Sequence, residues 1–117
     1  GSQITSADYD QATLVMKSDT TYTESKNTGL TYDFIAYGVR DSEDGVGIGM
    51  YIYNPFDSSS FTFYTVQSSF IVLGGTTLEG YKKIGVLKLA QQLSGIKFAC
   101  GNSGTYDNIT VNIYGVK

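Results

Sequence analysis

The chain has 117 residues, one Pro, 14 Gly and a formal net charge of −3; that length suits one domain with a core of useful size. Ser, Thr, Gly, Tyr and Phe are abundant while the helix formers Ala, Leu, Glu and Lys are sparse, so the composition predicts an all-β domain. Lys82-Lys83 is the densest basic point, too little for a phosphate backbone or an anionic membrane surface, and no apolar run approaches the ~20 residues that cross a bilayer.

Residues 1–2 (Gly-Ser) read as a cloning scar, and 3–117 are expected to form a single β-sandwich domain. Residues 3–10 carry turn formers and read as a loose entry. A first strand over 11–17 turns Ala12, Leu14 and Met16 inward. Ser18-Asp19-Thr20 is a turn, 21–24 a short edge strand, and 25–29 (SKNTG) a second turn. A long strand over 31–40 sets Tyr32, Phe34 and Ala36 against Ile35, Tyr37 and Val39, apolar on both faces as in a central strand.

Residues 41–45 (DSEDG) form the clearest turn, since Asp-Gly between alternating runs marks a hairpin. The strand over 46–54 places Val46, Ile48, Met50 and Ile52 on one face and Gly47, Gly49, Tyr51 and Tyr53 on the other. The loop 54–59 leads to a strand over 60–66, and 70–73 begins or continues one before Gly74-Gly75. Residues 81–90 (YKKIGVLKLA) favour a strand, with a helical turn near 87–93 as the alternative. The C-terminal stretch is the best patterned. Ile96, Phe98 and Cys100 share a face, a polar loop spans 101–108, and Ile109, Val111 and Ile113 alternate with Thr110, Asn112 and Tyr114 in a closing strand. Turns and strands at this spacing predict an antiparallel β-sandwich of jelly-roll type. Its expected core is Phe34, Ile48, Met50, Ile52, Phe98, Ile109, Val111 and Ile113.

The chain has no His, which removes the usual triads, imidazole bases and most zinc sites, and its acids lie mostly in turns. No catalytic residue and no cofactor is expected. Asp41, Glu43 and Asp44 are close in sequence but lack the ligand spacing of a calcium loop, and a plain hairpin turn is the better reading. Cys100, the single cysteine, reads as a small buried hydrophobe. Asn108-Ile109-Thr110 is a formal glycosylation sequon that matters only in a secretory pathway. Ten tyrosines without a tryptophan suit interfaces and sugar stacking alike. Tyr51 and Tyr53 are the candidates for subunit packing, ahead of glycan stacking; Asn102, Tyr106 and Asp107, in the loop before the last strand, are the candidates for ligand contact.

The run FACGNSGTYDNITVNIYGVK (98–117), with Ser103-Gly104, Ile109 and Ile113-Tyr114-Gly115 at the matching positions, resembles the closing hairpin of C-terminal β-sandwich domains in tailed-phage virion proteins. The residues 95–98 are similar to the strand before that ending, while Asp107-Asn108 depart from the usual small residue and Thr/Ser. The resemblance implies a non-enzymatic virion domain, made in the bacterial cytoplasm, that ends a tail fibre, joins a baseplate appendage or decorates a capsid. Its expected partners are further copies of itself, a trimer where it caps a fibre, other virion proteins, and a host surface glycan. A carbohydrate-binding module appended to an enzyme is the alternative.

Overall fold

A computed structural model of the chain describes residues 3–36, 45–72, 76–99 and 109–116. Five strands, β1 (Tyr9–Lys17), β2 (Thr23–Leu30), β3 (Val46–Tyr53), β4 (Thr62–Ile71) and β5 (Leu78–Leu87), form one sheet. The strand order is β2-β1-β5-β4-β3, and every neighbouring pair is antiparallel. The all-β antiparallel class holds among the described residues, which contain no helix and no second sheet.

β3 keeps its predicted faces and ends at Tyr53, one residue before the predicted end. β5 is a strand, not the helical alternative, because its period-two pattern is completed by ladders to both β1 and β4. The two fragments read over 60–66 and 70–73 are one ten-residue strand, the most buried of the five, where Thr62, Tyr64, Val66, Ser68 and Phe70 are buried and the residues between them are not. Asn54, with φ of 59°, turns the chain out of β3, and Asp57 accepts bonds from Ser59 and Ser60 in the predicted loop.

Four expectations are corrected. The predicted turn at 25–29 lies inside β2, an edge strand whose polar residues face water while its backbone pairs with β1; Gly29 (φ 66°) and a register shift opposite Tyr9/Gln11 absorb the irregularity. The strand predicted over 31–40 is absent over 31–36, which bends across the sheet instead; the rest of it, and most of the 41–45 turn, lie outside the described residues. Ala12, Leu14 and Met16 line the open face, and β1 turns Tyr9, Gln11, Thr13 and Val15 to the covered side. The C-terminal strands are absent over 96–99 and 109–116: Ile109, Val111 and Ile113 are exposed, Ile113 to 86 %, and Phe98 and Ile96 are also on the surface. Alternation makes a strand possible, but a strand forms only where a neighbour supplies the ladder.

The core is therefore not the predicted one. Tyr64, Val66, Phe70 and Leu87 are its buried apolar side chains; Met50 and Ile52 are half-buried, and Phe34 and Ile48 are exposed. Phe70 meets Tyr81 edge-on, with ring centroids 5.1 Å apart. The covered face is unusually polar, holding Thr13, Thr62, Ser68, Glu79 and Lys83.

Candidate functional site

Two places concentrate chemistry. The first is the open face of the sheet. Register puts Tyr53 opposite Phe63 and then Val86, and Tyr51 opposite Thr65, then Ile84 and Ala12. Tyr51, Tyr53, Phe63 and Ile84 are all exposed, Tyr51 to 64 % and Ile84 to 63 %. They form a contiguous aromatic and aliphatic corner on neighbouring strands. Sequence reasoning found Tyr51 and Tyr53 from the alternation of β3, and the structure joins them to Phe63 and Ile84 on adjacent strands.

Beyond Tyr51 the face turns polar. Gly47 and Gly49 carry no side chains there, and an open trough of about 620 Å³ runs over them past Thr65, Gln67 and Lys82. Gly49, Gln67 and Lys82 follow one another in a single cross-strand row. The trough combines a ring, hydroxyls, an amide and one cation on a floor of sheet backbone.

The second place is on the covered face. Asp33, in the segment that bends over the sheet, accepts a 2.7 Å bond from the Tyr64 hydroxyl on one carboxylate oxygen and a 2.6 Å bond from Lys83 Nζ on the other. Lys83 Nζ also donates to the Phe34 carbonyl and sits 5.9 Å from the centre of the Tyr81 ring. The Lys83 side chain is 3 % exposed and that of Asp33 8 %. Burial, and then the Asp33 carboxylate, push the Tyr64 phenol far above its ordinary value, so it stays a donor. A buried lysine without a partner would be costly, and Asp33 holds 31–36 against β4 and β5 by supplying one.

A signal for this cluster was present in the sequence. Successive strand side chains point to opposite faces, so of Lys82 and Lys83 one had to turn inward. Asp33 carried no such mark, because it stood inside a run that alternates like a strand.

Asn102, Tyr106 and Asp107 lie outside the described residues, as do Cys100 and Asp41, Glu43 and Asp44. Among the described residues no three His, Cys, Asp or Glu side chains gather as metal ligands. No family model, no curated protein and no solved structure matches the chain.

Proposed function

We propose that this chain is a non-enzymatic structural or host-attachment domain of a tailed-phage particle, a tail-fibre tip or a capsid decoration, that acts in several copies. Two features support the reading: the C-terminal run that resembles the closing hairpin of such domains, and the open sheet face. The face is the observation that carries it. Phe63, Ile84, Tyr51 and Tyr53 stand in water on one side of a five-stranded sheet, and burying that corner against other copies removes apolar area from water at roughly 25 cal/mol per Å². A trimer, with the three corners meeting at its axis, fits a fibre tip. Light scattering across a micromolar concentration series tests this: the domain is expected to run as an oligomer, and a monomer throughout would contradict it.

The trough beside Tyr51 favours a second reading, a carbohydrate-binding module. A ring to stack on a sugar face, with Thr65, Gln67 and Lys82 to bond its hydroxyls, is a workable glycan site. Saturable glycan binding by a monomer on an array favours this module, and an oligomer without glycan binding favours the virion domain.

A further inference from the structure

We propose that Lys83 and Asp33 condense into an intramolecular amide, a covalent crosslink between β5 and the segment 31–36. Both side chains are almost wholly buried and Nζ already lies 2.6 Å from Oδ1 of the acid it would join. Holding the two groups side by side makes the reaction intramolecular, and well-oriented intramolecular reactions reach effective concentrations of order ~10⁵–10⁸ M, which lowers the barrier to condensation. Burial acts in the same direction, since the ion pair suffers from lost hydration and the neutral amide much less.

The hydrogen bonds around the ion pair would also satisfy an amide. An ammonium has three N–H donors, and among the described residues Lys83 finds two oxygen acceptors, Asp33 Oδ1 and the Phe34 carbonyl. An amide has one N–H and one carbonyl oxygen. The Phe34 carbonyl is in place to accept the N–H, and the Tyr64 hydroxyl already donates to Oδ2, the oxygen that the amide would keep.

The chemistry balances without an added reagent. One proton passes along the 2.6 Å bond from Nζ to Oδ1, leaving an amine and a carboxylic acid. The nitrogen lone pair adds to Cγ, and the carbonyl π pair moves onto Oδ2, where the Tyr64 O–H meets the growing negative charge. A second proton goes from Nζ to Oδ1, the Cγ–Oδ1 bond breaks with its electron pair on oxygen, and water leaves as the carbonyl re-forms. Nothing is oxidised or reduced. Lys83 is the nucleophile and Asp33 the electrophile, and Tyr64 stabilises the oxyanion.

Intact mass spectrometry of the folded, then denatured, chain decides the matter. The expected mass is that of the sequence less one water, with a branched peptide joining Asp33 to Lys83 after digestion. Lys83→Ala and Asp33→Ala should return to their full sequence masses, and Tyr64→Phe should slow formation so that both masses are seen in freshly made protein. A wild-type chain at full sequence mass overturns the proposal. That result reads on the wild type alone, so it stands whether or not the variants fold.

Discussion

The ring of Tyr64 occupies the space that a side chain on Gly85 would need. The two residues are direct partners across β4 and β5, and a Cβ built on Gly85 would fall 2.1 Å from the phenol Cζ. Gly85 is thus what lets the ring lie across the neighbouring strand and carry its hydroxyl to Asp33. A glycine within a strand weakens the strand, and an aromatic partner that covers it recovers part of the loss.

Gly85→Ala should therefore be a costly substitution for its size. The new methyl displaces a ring that is fixed at its far end, so overpacking and the strained bond to Asp33 act together. A loss of about 3 kcal/mol is expected in denaturant unfolding. Gly49→Ala, where the nearest atom to the new Cβ is 4.0 Å away, should cost no more than about 1 kcal/mol by comparison.

The covered face also holds two hydroxyls without partners among the described residues, Thr62 Oγ1 and Ser68 Oγ. A buried polar atom without a bond carries its full desolvation cost, so removing it should do no harm. Ser68→Ala and Thr62→Val are each expected to leave the melting temperature unchanged or to raise it, by up to about 1 kcal/mol in stability. A clear loss in either variant would mean that the hydroxyl has a partner.

Acid should loosen the β1–β2 edge. The Gly29 N–H and then Lys88, 2.9 and 3.0 Å from its two oxygens, hold the Asp10 carboxyl below its ordinary value. A depressed carboxylate contributes stability that is fully present above the unfolded value of about 3.9 and lost as pH falls through the folded one. Asp10→Asn should be less stable than wild type at neutral pH, and the gap should close as the pH drops below the ordinary carboxylate range. A gap that is independent of pH would assign the effect to packing.

The C-terminal run is where sequence and structure part most sharply. Ile109, Val111 and Ile113 have the cleanest alternation in the chain, yet Val111 is half exposed and no ladder holds 109–116. Alternation reports which side of a strand would be apolar, and says nothing about whether a partner exists. By contrast β3 and β5 were legible, because their neighbours supply the pairing that their patterns invite. The buried cluster was legible only in part: the Lys82-Lys83 step implied an inward lysine, whereas Asp33 reaches it across fifty residues of chain. The aromatic corner was seen as two tyrosines, since Phe63 and Ile84 join it only through register.

That contrast gives a direct pair of substitutions. Val111→Asp, at a position that the sequence assigns to the core, should cost less than about 1 kcal/mol because the site is exposed. Val66→Asp, at 2 % exposure beside Lys83, should prevent folding or leave a molten chain. Circular dichroism with urea titration separates the two. Equal losses would show that 109–116 is packed in solution.

We propose the open face as an association surface, and a charge placed within it should separate the copies. Multi-angle light scattering of the wild type beside Ile84→Lys, over the same micromolar series, should show an oligomer for the first and a monomer for the second, with melting of the isolated fold little changed. Ile84 is 63 % exposed, so a charge there has no folding reason to disturb the sheet but would be buried in any assembly made through this face. A wild type that stays monomeric, or a variant that associates as well as the wild type, would rule out association through this face.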